Sequence, residues 1–390
     1  MRKLIIFLFA LTFPLGDLLN VVLGFNVSIA YTIVVIISVI FLIILPKVKI
    51  YLPKEFIWLY IFIILHVFYT YAIRYPGTLT NLCEIEVYNV VISQEPYYFI
   101  VLRYFLYLFS PIILAIYISN NSLLTYFFKC FIACFIVSIA ISYSYNFIIL
   151  NNVRFSGGFH DPNTFGGFSL ISLFACLYLK KEKSNKLYIL LSVFFLICII
   201  VSESRSSIVG LILAVIYLYR AKYISRNTFW GMLLLSVLII IYMISNNIGV
   251  VGRFSQISKR EDGDSRLIIW GMYLNNLSDY IGFGTGLGHK FDASMQLSSN
   301  RSTHNMYLLQ LVQFGIIGFI LFMRTTYILI KEMNKYSREF SHIALLTAIP
   351  VAFLVLYFFS DYDNTREYAI VTSIYFIAYN FDKKGKLLVN

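Results

Sequence analysis

The sequence predicts an all-α integral membrane protein of about twelve transmembrane helices, and three observations carry that expectation. The chain of 390 residues is 59% hydrophobic and 13% charged, with a mean hydropathy of +0.79. A soluble domain of this size needs far more charge to cover its surface. Its apolar residues fall in repeated runs of roughly 15–26, close to the ~20 residues of helix that cross a hydrocarbon core. Continuous runs select helices over the closed barrel, the other architecture that satisfies a backbone in lipid. Residues 1–390 therefore read as a single polytopic membrane domain.

Twelve spans are expected: Leu4–Leu19, Val27–Leu45, Phe56–Ala72, Tyr98–Ile118, Leu124–Leu150, Thr164–Leu179, Leu187–Val201, Ser206–Tyr219, Phe229–Ser245, His304–Leu329, His342–Ser360 and Tyr368–Phe381. The first begins with Met1-Arg2-Lys3, as a signal peptide does. It has no small-residue cleavage site and runs past Pro14 and Gly16, so it is expected to stay as an uncleaved span. With both termini placed in the cytoplasm, the inner segments carry eighteen basic residues and the outer segments ten. That asymmetry follows the positive-inside rule.

The net charge of +12 does not point to nucleic acid, because the basic residues are dispersed over short loops rather than gathered on one face. The five cysteines, Cys83, Cys130, Cys134, Cys176 and Cys198, form no CxxC pair. Neither a disulfide framework nor a metal site is predicted from them, no acidic metal cluster is evident, and no cofactor is called for.

The outer basic residues are unusual. Six of the ten lie in one segment, residues 246–303, which is the long extracytoplasmic loop between the ninth and tenth spans, and eight of the ten are arginine. Arginine offers a planar fork that binds phosphate or carboxylate through two bonds, whereas lysine is a point charge.

Four polar constellations lie on this side. The first is Arg154-Phe155-Ser156-Gly157-Gly158-Phe159-His160-Asp161-Pro162-Asn163. Its glycines allow a tight turn and Pro162 suits the first turn of the next helix. A loop closed by an Asp/Asn cap explains Gly157 to Asn163 equally well. The second is Ser202-Glu203-Ser204-Arg205-Ser206-Ser207, where an arginine at the membrane boundary needs a partner or a water-filled cavity. Glu203 can be that partner, and a phosphate group is the alternative.

The third constellation is the long loop itself, with Arg253, Arg260 and Arg266. Asp264-Ser265 can cap a helix starting near Arg266. Leu267, Trp270, Gly271, Leu274 and Leu277 follow at helical spacing, which predicts a short amphipathic helix along the outer interface with Trp270 at headgroup level. Arg266 stands where helix N–H groups also favour anions. The run Gly282-Phe283-Gly284-Thr285-Gly286-Leu287-Gly288 lacks the Gly-Lys-Ser/Thr ending of a nucleotide loop and reads as a flexible hinge.

The fourth is Ser302-Thr303-His304-Asn305, followed by Gln310, Gln313 and a kink at Gly315-Ile316-Ile317-Gly318. Histidine can take up a proton near neutral pH, which makes His304 a candidate general base. A structural interfacial histidine is the plain alternative. His66, His289 and His342 lack such neighbours and are given no role. Arg103, inside the fourth span, would cost about 2.5–3.5 kcal/mol against lipid on the insertion scale, so it is expected to face a polar cavity.

These motifs resemble the O-antigen polymerase and O-antigen ligase superfamily of bacterial polysaccharide assembly. The resemblance rests on Arg154–Asn163, Glu203–Ser206, Arg266 with Trp270, Gly282–Gly288, and His304-Asn305 ahead of Gly315-Ile316-Ile317-Gly318, in that order within residues 150–320. It implies inverting, metal-independent glycosyl transfer on the periplasmic face of the bacterial inner membrane. Donor and acceptor are both implied to be oligosaccharides linked to undecaprenyl diphosphate, handled beside membrane lipid. Arg205 and Arg266 match the arginines that hold the donor diphosphate, and His304 matches the histidine that activates the acceptor hydroxyl. Arg154, His160, Asp161, Asn163, Arg103, Arg253, Arg260 and Asn305 are the candidate substrate-binding residues. A chain-length regulator and a flippase are candidate partners.

Gly-Phe-His-Asp-Pro-Asn and Thr-His-Asn-Met-Tyr-Leu look more like the polymerases than the ligases, which use the same donor and a lipid A core acceptor. A flippase or solute transporter would also have about twelve spans. It would place charges along the membrane midplane, where this chain carries almost none apart from Arg103, and it has no use for one long outer segment.

Overall fold

The computed structural model describes residues 2–23, 27–44, 51–76, 82–87, 90–149, 155–157, 159, 161–227, 229–231, 234, 265–287, 303–339, 341–359 and 366–383. Its helices are α1 (Arg2–Leu23), α2 (Val27–Ile44), α3 (Lys54–Phe68), α4 (Tyr97–Tyr117), α5 (Asn121–Ile149), α6 (Pro162–Lys183), α7 (Leu187–Val201) and α8 (Arg205–Arg220). They continue with α9 (Ser265–Asn275), α10 (Met306–Glu339), α11 (Ser341–Phe359) and α12 (Arg366–Lys383). Ten of the twelve expected spans coincide with single helices among the described residues, and the tenth falls on α10, which is broken. The expected ninth, Phe229–Ser245, lies mostly outside them.

Five segments are long and apolar enough to cross a membrane: Lys54–Arg74, Ile100–Tyr117, Asn121–Tyr143, Pro162–Lys183 and Met306–Lys335. Shorter apolar helices cover Tyr31–Leu42, Leu187–Val201 and Ile343–Phe358. The chain is a multi-pass helical membrane protein by length and composition of its helices.

Two elements depart from the all-α expectation of straight spans. β1 (Leu82–Val87) and β2 (Val90–Pro96) form an antiparallel hairpin pairing Leu82 with Pro96 and Val87 with Val90, with an irregularity between Ile85 and Glu86. The alternation of Glu84 and Glu86 with Cys83, Ile85 and Val87 is the period of a strand, and β2 runs directly into α4.

The second departure is α10, which is two helical segments joined at Gly315, where φ is 67° and ψ is −170°. Tyr307 and Phe322 would stand about 22 Å apart along a straight helix, yet their ring centroids are 6.2 Å apart. Met306–Phe314 therefore folds back beside the residues after Gly315. The expected tenth span, His304–Leu329, is not one continuous crossing, because a left-handed glycine reverses the chain inside it.

The core is aromatic. Phe131, Phe135, Phe165, Phe168 and Phe195 are buried together, with Phe135 stacked on Phe195 at 5.5 Å. α1 packs on α5 and α2, α4 on α12, α6 on α7, and α10 on α3. α11 is the helix shared by the two halves, since α6, α8 and α10 all pack on it. Small residues bring α8 and α11 close: a Cβ on Gly210 would lie 2.4 Å from Leu356 Cδ1 and 3.0 Å from the Ala352 carbonyl oxygen. Such close backbone approach is how helices associate where lipid removes the hydrophobic driving force.

Candidate functional site

Arg205 opens α8. Ser204 is its N-cap, with a side-chain oxygen that accepts from the Ser207 N–H at 3.3 Å and from the Ser207 hydroxyl at 2.9 Å. Ser202 is fully buried, donates to the Ile199 carbonyl at 2.7 Å and accepts from the Ser204 N–H. Between them Glu203 adopts φ 51°, a left-handed conformation that ends α7 and turns the chain into α8 within three residues. Arg205 is half-buried at this elbow.

The start of α6, which follows the first constellation, is brought against it. Asp161 caps α6, accepting from the Asn163 N–H at 3.1 Å and from the Asn163 side-chain amide, with Pro162 at the first helical position. The expected Asp/Asn cap is thus present. One turn later, a Cβ on Gly166 would lie 2.4 Å from Ser207 Oγ and 2.9 Å from Ser202 Oγ. The missing side chain lets the N-terminal turns of α6 and α8 touch. Phe159 anchors the segment against Phe168, with ring centroids 4.6 Å apart, and Gly157 turns over the Phe165 ring with φ 59°. Arg154 and His160 lie outside the described residues.

The other pair of constellations meets in the same way. α9 carries Arg266 in its first turn, and Trp270, one turn later on the same face, donates from Nε1 to the Thr303 carbonyl at 2.8 Å. His304 follows, exposed and with φ 48°. Asn305 caps the Met306–Phe314 segment: its side-chain oxygen accepts from the Leu308 N–H at 3.1 Å, and the residue is buried. Of the four non-glycine residues with positive φ among the described residues, Ser184 and Lys222 follow the C-terminal ends of α6 and α8, whereas Glu203 and His304 each stand one residue before an N-cap. Left-handed backbone outside glycine costs energy and concentrates at functional sites.

The amphipathic reading of α9 needs correction. Ile269 and Tyr273 are buried against Tyr280, Leu308 and Val312, with Trp270 and Leu277 packed beside them, while Leu267, Ile268 and Leu274 are exposed. The helix is apolar on two faces, because one of them covers the folded-back segment of α10. The glycine run is also not a hinge. Thr285 and Gly286 donate their N–H groups to the Val312 and Gln313 carbonyls at 2.7 and 3.0 Å, and Gly284 through Leu287 are buried.

α11 joins the two pairs. Gly167 faces Leu356 and Phe353, Gly210 faces Leu356 and Ala352, and two residues beyond Leu356 the Phe358 ring meets Trp270 edge-on at 5.3 Å and Tyr307 at 6.4 Å. Tyr307 also donates to the Leu354 carbonyl. The Arg205 elbow, the start of α9 and the His304 elbow therefore surround the C-terminal end of one helix. Arg103 is half-buried on α4, and its neighbour Tyr104 contacts Phe314 at 5.9 Å, one residue before the break in α10. Arg253 and Arg260 lie outside the described residues, and Arg266 is described through its backbone.

Several residues with no sequence-based assignment contribute. Phe358 joins Trp270 on α9 to Tyr307, just after the His304 elbow. Arg366, counted among the outer arginines, is buried, donates to the Phe13 carbonyl at 3.1 Å and lies over the Phe159 ring at 5.6 Å. His66 is buried with Nε2 2.6 Å from the Phe283 carbonyl. For His66, a polar side chain in an apolar run was the available signal; Arg366 stands in a polar stretch, Asp361-Tyr362-Asp363-Asn364-Thr365-Arg366-Glu367, that gives no such signal.

A family model described as O-antigen ligase matches residues 190–323, the stretch from within α7 through both elbows and past the break in α10. An O-antigen polymerase from Salmonella muenchen is 32% identical over 183 residues, covering 43% of this chain and 44% of that protein's length. This chain therefore matches less than half of that relative. Together the two comparisons support the O-antigen polymerase and O-antigen ligase superfamily for this chain.

Proposed function

We propose that this protein is a surface-polysaccharide polymerase that transfers a growing glycan from undecaprenyl diphosphate to a new lipid-linked repeat unit. In this reading residues 1–390 form one membrane domain with both termini in the cytoplasm, and loop 246–303 faces outward. The observation that carries the reading is that α6 and α8, whose starts carry Asp161 and Arg205, pack on α11 near Leu356, while α9 and the segment after His304 meet the same helix end at Phe358. Arg205 and Arg266 grip the diphosphate. The acceptor hydroxyl attacks the anomeric carbon from the opposite side, giving inversion. The bond from that carbon to the diphosphate oxygen breaks, the carrier leaves as undecaprenyl diphosphate, and the hydroxyl proton passes to His304.

Preset guanidinium donors stabilise the charge developing on the leaving diphosphate, and removing one such donor typically costs about 10²–10³ in rate. Arg205→Ala and Arg266→Ala should each abolish chain extension by a membrane-inserted protein at normal level, and lysine should rescue poorly because the fork is lost. His304→Ala should lose transfer while retaining donor binding. Normal extension by both arginine variants would overturn the diphosphate assignment.

A ligase is the second reading, favoured by the description of the matching family model. The two differ in the accumulated product. A deletion strain that holds single repeat units indicates a polymerase, and complete chains left on the lipid carrier indicate a ligase.

A further inference from the structure

The break at Gly315 leaves helical carbonyls before it without the N–H groups four residues on that would normally pair with them. The Gly282–Leu287 loop supplies the partners. Thr285 N–H and Oγ1 reach the Val312 carbonyl at 2.7 and 3.2 Å, and Gly286 N–H reaches the Gln313 carbonyl at 3.0 Å. In return, the Ile316 N–H that restarts the helix donates to the Ile281 carbonyl at 2.7 Å. The fit leaves no room for side chains, since a Cβ on Gly315 would stand 2.2 Å from the Gly282 carbonyl oxygen and one on Gly284 2.3 Å from that of Gln313.

That loop has no regular structure of its own, and α3 holds it. His66 donates to the Phe283 carbonyl at 2.6 Å, Tyr71 to the Leu287 carbonyl at 2.6 Å, and Arg74 to the Gly284 carbonyl. A carbonyl can only accept, so Nε2 is the protonated nitrogen of His66. The ring is buried and lies against Phe62 and Phe314 at 5.6 and 5.2 Å. After Phe68 the helix changes to a π-turn over Tyr69–Arg74, with the Tyr75 N–H donating five residues back to Thr70. This wider turn winds the chain less per residue, which swings Arg74 back toward the face that carries His66 and Thr70. Isolated π-turns of this kind are frequent at functional sites. Thr70 closes the seat, since a Cβ on Gly286 would lie 2.4 Å from its methyl group.

We propose that His66, Tyr71 and Arg74 are positioning residues. Acting through the Gly282–Leu287 loop, they fix the break at Gly315 and hold Met306–Phe314 against α9, with His304 and Asn305 at the start of that segment. This rests on the reading of His304 as a site residue, and it makes α3 part of the site without any contact to the reacting atoms. Loss of one of these bonds lets the segment lift from α9, so turnover falls while substrate affinity, set by the arginines, is kept.

The test uses the full chain with Cys83→Ser, reconstituted in vesicles, and Val312→Cys as a reporter. Val312 is 2% exposed beneath α9, so a membrane-impermeant maleimide should label the reporter slowly. His66→Leu should speed labelling about tenfold and, with Val312 intact, lower the turnover of lipid-linked glycan transfer about tenfold at unchanged half-saturating substrate, on the scale of one lost hydrogen bond to a buried group. His66→Gln, which restores an N–H donor, should return both readouts toward the parent. Tyr71→Phe keeps the ring and loses only the hydroxyl, so it should show the same changes in smaller measure and serves if His66→Leu does not accumulate. Unchanged labelling in both variants overturns the proposal. Faster labelling in a protein whose parent transfers no glycan supports the positioning role and refutes the polymerase reading instead.

Discussion

The indole Nε1 of Trp270 donates to the carbonyl oxygen of Thr303 at 2.8 Å, tying the helix that carries Arg266 to the residue before His304. Thr303 is 1% exposed, so its carbonyl has little recourse to water if this donor is lost. An unpaired buried acceptor costs about 1–3 kcal/mol. Trp270→Phe keeps the edge contact with Phe358 and removes the donor. It should lower glycan transfer by about 1–3 kcal/mol, roughly 5- to 150-fold, in a protein that still inserts. Transfer by reconstituted protein measures this, and full activity would separate α9 from the His304 elbow.

Gly315→Ala and Gly271→Ala make a matched pair. At Gly315 the backbone is left-handed and the added methyl meets the Gly282 carbonyl oxygen, whereas at Gly271 the added Cβ meets nothing within 4 Å. Left-handed backbone alone costs an L-residue about 1–2 kcal/mol, and the carbonyl is a fixed obstacle. Gly315→Ala should lower the Tm of the detergent-solubilised protein or prevent its accumulation. Gly271→Ala should leave Tm unchanged or raise it, since alanine favours helix by about 0.5–1 kcal/mol over glycine.

The contact between α6 and α8 can be probed at Gly166. Its added methyl would press on Ser207 Oγ at 2.4 Å and on Ser202 Oγ at 2.9 Å, displacing the turn that carries Arg205. Overpacking of this kind costs about 1–3 kcal/mol. Gly166→Ala should weaken donor binding more than it lowers Tm. Adding Ser207→Ala removes the nearest clash and should recover part of the loss, read as a non-additive double-mutant cycle.

Arg366 should behave unlike Arg205. Its guanidinium is spent on the Phe13 carbonyl and the Phe159 ring, inside the bundle. Arg366→Ala should cost about 2–4 kcal/mol of stability, the sum of a lost charged hydrogen bond and a desolvated cation–π contact. Lysine should recover little, because it cannot lie flat on the ring. The surviving folded protein should keep its half-saturating donor concentration. A raised donor requirement with unchanged Tm would move Arg366 into the binding site.

Much of the helical framework was legible in the residues alone. Apolar runs of helical length mark α3 through α6, and local chemistry marks several ends: Asp161-Pro162 for α6, Ser204 for α8 and Asn305 for the folded-back segment of α10. Capping depends on one side chain and the next three N–H groups, so it is readable from a few consecutive letters. The β1–β2 hairpin was not expected from the sequence, because the alternation around Glu84 and Glu86 is short beside the apolar runs that flank it.

What the sequence by itself determined was the helical membrane class, most helix positions and the polar motifs, because these follow from residue period, hydropathy and local hydrogen bonding. Only the tertiary structure decided that Gly315 reverses the chain, that Gly282–Leu287 caps the resulting break from His66, Tyr71 and Arg74, and that Phe358 joins Trp270 to Tyr307 beside the His304 elbow. Those relationships pair atoms from distant parts of the chain. Their stability comes from satisfying carbonyls and filling volume across helices, quantities that no local window of sequence contains.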